Sequence, residues 1–439
     1  MDTVLIGYLG VLALFVLLAL GVHVGIALTV IGFVGVWLIQ GSIMAGLGLM
    51  HVSAFYKIVH YSLTCLPLFI LMGYFALHAG ISTEVFSAAS KWVGRLPGGL
   101  AIATVMGNAA FGAVTGSSIV ATTVFTKVSY PEMMRFNYDK KFACGTVVGG
   151  AMLGMLIPPS ILMVLYGIIT EQSIAHLLMA GIGPGLLLAS MFSILCFFMA
   201  FFNPKLAPMP PQAVTFKEKI VSLKGTWGII AVAGLLLGGL YTGLFSPTEA
   251  GAVGAFGVFV VAMVKRQLNW SKITEAVVEA VRVNAAIFLV LVGATIFSRF
   301  IGLSTITSEL TKWVAAAGMP VMAMIAIFMV LYLVLGCLLD SMSMMLITLP
   351  ILDPLITGMG LDRIWFAMCV IMAIECGLLT PPFGLNIYAM KAVLGDEVEL
   401  MDIFKGAFPF FLVSLAALVI IMYVKPISVF LPRTMFTTR

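Results

Sequence analysis

Charge is what this sequence has least of. Only 9% of its 439 residues are Asp, Glu, Lys or Arg, whereas soluble globular domains carry about a quarter. That shortage excludes a water-soluble globule. Short alternating strands are also missing, which excludes a β-barrel. Gly149-Gly150 is not part of a G-x-x-x-x-G-K pattern, so nothing points to nucleotide-driven pumping. The motifs H-E-x-x-H and G-x-S-x-G are missing too, with no His–carboxylate cluster in their place. An intramembrane enzyme therefore finds no support. The six cysteines (Cys65, Cys144, Cys196, Cys337, Cys369 and Cys376) lie in apolar segments without a C-x-x-C pair. They offer neither a disulfide nor a zinc framework. The net charge of +5 is scattered over loops, leaving no basic block for nucleic acid. The first apolar run lacks a basic flank and an A-x-A site, and is expected to be retained as the first helix.

What is abundant is apolar length. Hydrophobic residues make up 62% of the chain. Long runs recur at Val4–Leu20, Val24–Ile39, Leu63–Leu77, Leu177–Phe202, Gly228–Leu244, Ala285–Ile301, Val321–Leu339 and Phe410–Val424. Since ~20 apolar residues cross the hydrocarbon core, the expected class is an all-α polytopic membrane protein. The main polar interruption, Asn203–Gly225, holds four prolines and four lysines. With the basic segment Lys265–Arg282 it is expected on the cytoplasmic side. Met1–Leu20 carries Asp2 and no basic residue, which points to an external N-terminus. Lys425, Arg433 and Arg439 run against that topology.

The two halves resemble each other. Gly154-Met155-Leu156-Ile157-Pro158-Pro159-Ser160 returns as Gly377-Leu378-Leu379-Thr380-Pro381-Pro382-Phe383, a shift of 381 − 158 = 223 positions. The same shift pairs Asp139 with Asp362, Pro131 with Pro354 and Ser118 with Ser341. Lys91-Trp92-Val93 matches Lys312-Trp313-Val314 at a shift of 221, Gly73 matches Gly293 at 220, and Pro184 matches Pro409 at 225. A slowly drifting shift is what a duplicated unit with small insertions leaves behind. The expected plan is therefore a first repeat over 1–202, a cytoplasmic linker over 203–225 and a second repeat over 226–439. Each repeat would hold three spanning segments, then an amphipathic arm (82–96; 305–317) and a re-entrant hairpin (98–128; 320–351). A broken spanning helix (140–169; 363–393) and a final spanner would complete it. An odd number of crossings per unit inverts the second relative to the first, and such inverted repeats bind substrate at their interface.

Two kinds of segment carry the chemistry. Gly112–Thr123 and Gly336–Ser343 begin with small residues and place hydroxyls or a carboxylate at the expected turn. The doubled prolines remove backbone donors and open a helix into two halves. Freed carbonyls and the negative end of a half-helix attract a small hard cation, and the opposing N-termini attract an anion. Ser117, Ser118, Ser341, Ser343, Thr380 and Asn386 are candidate side-chain ligands. A structural kink and simple back-bonding to the helix are the alternatives. Asp340 either faces a cavity as a coupling group or forms a structural pair or cap, because a carboxylate at membrane depth needs a partner. Glu375 faces the same choice. Glu249 in Ser246-Pro247-Thr248-Glu249-Ala250 follows the pattern of an N-cap with Pro and Glu in the first turn, a structural role. Arg299 and His60 are either substrate contacts or residues that snorkel to the interface. Met342–Met345 is expected to be packing.

On Leu66–Gly73, Gly112–Thr122, Gly154–Ser160, Phe245–Ala250 and Gly377–Pro382, the chain resembles the large membrane subunit of tripartite ATP-independent periplasmic (TRAP) transporters, departing at Thr64-Cys65. The resemblance spans nearly the whole chain. It implies a sodium-coupled importer of organic acids, such as dicarboxylates or sialic acid, in the bacterial cytoplasmic membrane. A periplasmic substrate-binding protein would deliver the substrate, and a separate small subunit of about four helices would complete the complex. It also implies an elevator mechanism, in which both hairpins and both broken helices slide against a scaffold. Sodium sites carry over onto Thr115, Gly116, Ser117 and Ser118 with Gly154, Pro158 and Ser160, and onto Asp340, Ser341 and Ser343 with Gly377, Thr380 and Pro381. Substrate contacts fall on Ser118, Ser160, Ser341, Asn386 and Arg299. A stand-alone sodium-coupled dicarboxylate or citrate carrier is the alternative within transport. A non-transporting membrane scaffold or enzyme is the alternative outside it.

Overall fold

The computed structural model describes residues 2–59, 61–209, 215–316, 318–382 and 384–435. Among these residues the regular structure is helical throughout. The first half opens with α1 (Thr3–Ala19), α2 (Val24–Gln40), α3 (Ile43–Ile58), α4 (Cys65–His78) and α5 (Ile81–Val93). Two helices, α6 (Gly99–Thr115) and α7 (Ser118–Arg135), then fold back on each other through a two-residue turn. An interrupted helix follows as α8 (Lys140–Ala151), α9 (Leu153–Leu156) and α10 (Ile161–Thr170), and α11 (Ile174–Phe202) closes the half. The second half contains α12 (Phe216–Tyr241), α13 (Pro247–Val264), α14 (Trp270–Ser304) and α15 (Ile306–Ala316). After these come the pair α16 (Val321–Gly336) and α17 (Ser341–Gly358), the interrupted α18 (Arg363–Gly377) and α19 (Leu385–Leu394), then α20 (Leu400–Tyr423) and α21 (Pro426–Thr434).

Short polar side chains start these helices where the sequence supplies them. Asp139 Oδ1 accepts from Phe142 N at 3.0 Å, and Asp362 Oδ1 accepts from Ile364 N and Trp365 N at 3.0 Å each. Ser246 and Glu249 form a full capping box with Pro247 at the first helical position, so Ser246 is the N-cap and Glu249 its third-position partner, the structural role the pattern announces. Thr215 and Glu218 do the same for α12. That helix begins at Phe216, inside the segment read as linker. The helix α3 has no counterpart in the sequence reading. Its run is interrupted by His51 and Ser53, which hid it from a search for long apolar stretches.

Among the described residues, eight helical stretches are long and apolar enough to cross a membrane. In packing, α2 lies along α14, while α4 sits between α13 and α14. A second group gathers α6–α11 with α16–α21, centred on α8 against α20 and on α16 against α18. Gly145 and Gly406 let α8 and α20 cross in backbone contact. Helix α5 bridges α12 and α6, and α15 bridges α14 and α17. Lys265 ties the arm down by donating to Glu84 and, at 2.6 Å, to the Gly225 carbonyl. The described part of the expected second arm ends at Ala316, since Ala317 lies outside the described residues, as do 210–214 in the linker.

Candidate functional site

Each interrupted helix meets a helix turn through bare backbone. An ideal Cβ on Gly112 would stand 2.8 Å from the Cα of Gly154, and one on Gly336 would stand 2.6 Å from the Cα of Gly377. The pairs are equivalent to within one position, since 336 − 112 = 224 and 377 − 154 = 223. Both Pro158-Pro159 and Pro381-Pro382 are cis peptides. Prolines at 158 and 159 can give no N–H to the carbonyls of Gly154 and Met155 four residues earlier, and those at 381 and 382 leave Gly377 and Leu378 in the same position.

At the first turn Gly116 adopts φ 60°, and its carbonyl accepts from Ile161 N at 3.4 Å. Ser117 caps α7, accepting from Val120 N at 3.5 Å. Thr115 is turned back on its own helix, donating to the Phe111 carbonyl at 3.0 Å. Ser118 is buried and donates at 3.3 Å to Glu375 Oε1, a residue from the other half of the chain. Ser160 is buried with no hydrogen-bond partner for its hydroxyl. Gly116 packs on the backbone of Pro159 and Ser160, and Gly154 on that of Ser117, so the turn closes on the break that contains Pro158.

At the second turn Asp340 occupies the position equivalent to Ser117, because 340 − 117 = 223. Its Oδ2 accepts from Met342 N and Ser343 N at 3.1 Å each, and Oδ1 accepts from the Ser343 hydroxyl. Asp340 is thus an N-cap, the structural alternative weighed for it. It also lines a cavity, so capping does not remove it from the site. The Gly377 carbonyl is engaged locally by Thr380 N at 3.0 Å and Thr380 Oγ1 at 2.6 Å. Thr380 Oγ1 is also 3.0 Å from Cys337 Sγ. Ser341 is buried at the start of α17, next to Asp340, and Pro381 follows Thr380. Asn386 is buried in the first turn of α19, both amide atoms lacking a partner.

Both turns open onto cavities walled by the first helix group. One of about 230 Å³ brings Thr115, Ser117 and Ile161 against Gly73 and Tyr74 of α4 and Val283 of α14. The other, about 440 Å³, brings Asp340 and Ser343 against His23, which precedes α2, and against Ala286 and Val290 of α14. Met342 lines both. Arg299 is not brought to either. It lines a third groove of about 770 Å³ among Gln40, Leu49 and Gly302, formed by α2, α3 and α14. His60 and Phe383 lie outside the described residues. No sequence signal places His23 or Tyr74 at the turns, because both sit on segments far away in the chain. Asn108 was also overlooked; its Oδ1 is buried and unpartnered, and a lone amide in an apolar run was the available signal. Among the described residues no group of three or more His, Cys, Asp or Glu could hold a metal, so any ion here would rely on hydroxyl, amide and carbonyl oxygens with single carboxylates such as Asp340.

The fold has a solved relative. A crystal structure of the YdaH transporter of Alcanivorax borkumensis superposes with a TM-score of 0.60 at 15% identity, covering 87% of this chain and 90% of that one. In sequence, the C4-dicarboxylate TRAP transporter large permease protein of Pseudomonas aeruginosa is 32% identical over 376 residues, covering 85% of this chain and 87% of that protein. The isethionate TRAP transporter permease protein DctMQ of Oleidesulfovibrio alaskensis is 29% identical, covering 86% of this chain and 59% of that longer protein. The family model of the DctM component of tripartite ATP-independent periplasmic transporters matches residues 11–427, and the chain belongs to that family.

Proposed function

We propose that this large permease subunit couples inward sodium flow to the import of an organic acid. A periplasmic binding protein delivers the acid, and a small membrane subunit completes the complex, encoded separately or fused as the name of the DctMQ relative suggests. The observation that carries this reading is the matched pair of helix turns, each packed on a Pro-Pro break and each opening onto a cavity walled by α14. Such sites combine oxygen donors for a hard cation with helix N-termini for a carboxylate. The residues present fit sodium: Ser117, Ser118 and Ser160 at the first turn, and Asp340, Ser341 and Ser343 at the second.

In the elevator reading, α6–α11 and α16–α21 travel against α2, α4, α13 and α14, and the α5 and α15 arms span the moving boundary. Each sodium ion entering down 100 mV supplies ~2.3 kcal/mol before its gradient is counted, so accumulation needs no ATP. The membrane is the bacterial cytoplasmic membrane, with the N-terminus on the periplasmic side. Relatives named for C4-dicarboxylates and for isethionate share an anionic substrate, which fits the helix N-termini at both turns.

The test is uptake into proteoliposomes that hold this chain, its small subunit and the matching binding protein. Accumulation should require sodium and vanish when potassium replaces it; sodium-independent accumulation would refute the coupling. Equal uptake without the binding protein would favour the stand-alone carrier.

A further inference from the structure

The groove that holds Arg299, about 770 Å³, is larger than either cavity at the helix turns. Among the described residues that line it, Arg299 alone is charged. It joins no ion pair and no cation–π contact with any described residue. Arg299 lies on α14, one of the helices able to cross a membrane, where a cation is costly without a counter-charge.

The groove has a polar end and an apolar end. Helices α2 and α14 run parallel, since Gly25, Gly32 and Gly35 face Leu289, Ile296 and Phe300 in turn. Gln40 is the last residue of α2, and Arg299 stands five residues before the end of α14, because 304 − 299 = 5. At 1.5 Å per residue that is about 7.5 Å below the helix end, a depth from which an arginine reaches the headgroup level. Helix α3 turns back after two residues and descends with Gly46 packed on Phe33. It carries Leu49 and Val52 into the apolar part of the groove. An ideal Cβ on Gly48 or on Gly302 would meet nothing within 4 Å, so no described side chain fills the groove at either glycine.

A guanidinium above an apolar trough matches an amphiphile with a phosphate at one end and hydrocarbon at the other, because the planar fork of arginine suits phosphate oxygens. We propose that this groove is a specific site for one anionic phospholipid of the phosphatidylglycerol class. Its phosphate sits on Arg299 and an acyl chain runs along Leu49 and Val52. A phosphoethanolamine headgroup fits less well, since the lining residues include no carboxylate for its ammonium. Gln40 and Ser298 offer polar side chains to the hydroxyls of a phosphoglycerol headgroup. With the Lys265–Arg282 segment on the cytoplasmic side, α14 ends at the outer leaflet, which supplies the lipid. The site lies apart from both helix turns and does not rest on the sodium-coupled reading.

The experiment is native mass spectrometry of the delipidated full-length chain in mild detergent, titrated with phosphatidylglycerol or with diacylglycerol of the same chains. The wild-type chain should hold one phosphatidylglycerol about tenfold more tightly than diacylglycerol, the difference that a charge-assisted hydrogen bond makes. Arg299→Gln should abolish this preference, and Arg299→Lys should keep part of it. Gly302→Leu extends a side chain into the groove and leaves Arg299 in place. It should remove the tightly held lipid, and it decides the matter if the Gln variant does not fold. Inorganic phosphate should leave the lipid bound, since it brings no hydrocarbon; displacement by phosphate would make this a free-anion site and overturn the proposal. Equal retention of the two lipids by the wild type, or an unchanged preference in folded Arg299→Gln or Gly302→Leu, overturns it as well. Loss of the lipid on adding the small membrane subunit would give the groove to that subunit instead.

Discussion

Gly336 and Gly377 touch through backbone alone: an ideal Cβ on Gly336 would stand 2.6 Å from the Cα of Gly377, and one on Gly377 would stand 2.8 Å from the Cα of Gly336. The second helix turn therefore meets its interrupted helix without any side chain between them. Gly112 and Gly154 make the equivalent contact in the first half. A methyl group at either crossing must push two helices apart, and overpacking of this kind costs about 1–3 kcal/mol.

Gly336→Ala and Gly112→Ala are each expected to lower the thermal midpoint of the purified protein and to remove most transport. The break shifts relative to its turn in both variants, so the sodium concentration for half-maximal uptake should rise as well. Wild-type uptake by Gly336→Ala in proteoliposomes would show that the crossing is not needed to set the site.

The doubled prolines made this arrangement legible. A proline pair in an apolar run announces an interrupted helix, and its return after 223 positions announces a second one. Helix starts were readable for the same local reason, as Ser246 and Glu249 show. Contacts across the chain were not. The Ser118–Glu375 hydrogen bond joins residues 257 positions apart, and no periodicity encodes it. Arg299 shows the same limit. A cation in an apolar run reads as a substrate contact or as a residue that snorkels, and only helix packing shows that it lines a groove apart from both helix turns. Asp340 was visible as an unusual carboxylate, whereas its capping bonds to Met342 and Ser343 became visible only with the turn in place.

The Arg363–Asp353 pair should be a main fastening within the second helix group. Arg363 donates to Asp353 Oδ1 at 2.9 Å and Oδ2 at 2.6 Å, and to the Thr170 carbonyl of the first half at 2.5 Å. Both side chains are largely buried, at 25% and 16% exposure. Removing one partner of such a pair leaves a charge without compensation, at a cost of roughly 3 kcal/mol. Arg363→Gln should therefore destabilise strongly, and pairing it with Asp353→Asn should recover part of the loss. Thermal unfolding of the two single variants and the double variant measures this coupling; strictly additive shifts would show that the pair is not coupled.

Arg299 serves as a control for the location of the substrate. Because it lines the groove among Gln40, Leu49 and Gly302 and neither of the cavities at the helix turns, Arg299→Gln should leave the KM for transport within about twofold, a change worth about 0.4 kcal/mol. Initial uptake rates over a range of substrate concentrations test this. A KM raised tenfold or more, with maximal rate retained, would move the substrate to the third groove and reinstate Arg299 as a ligand.

Asp340 requires two variants, because it caps a helix and lines a cavity at once. Asparagine is as good an N-cap as aspartate, whereas alanine forfeits about 1 kcal/mol of capping energy. Asp340→Asn should therefore melt close to wild type when sodium is absent, and Asp340→Ala should melt lower. If the carboxylate also serves the ion, both variants should lose sodium-dependent stabilisation to the same extent, and the half-saturating sodium concentration for uptake should rise by about tenfold or more, equivalent to about 1.4 kcal/mol. The comparison separates the roles, since only the Ala variant loses the cap while both lose the charge. Wild-type sodium dependence in Asp340→Asn would leave Asp340 as a helix cap and nothing more.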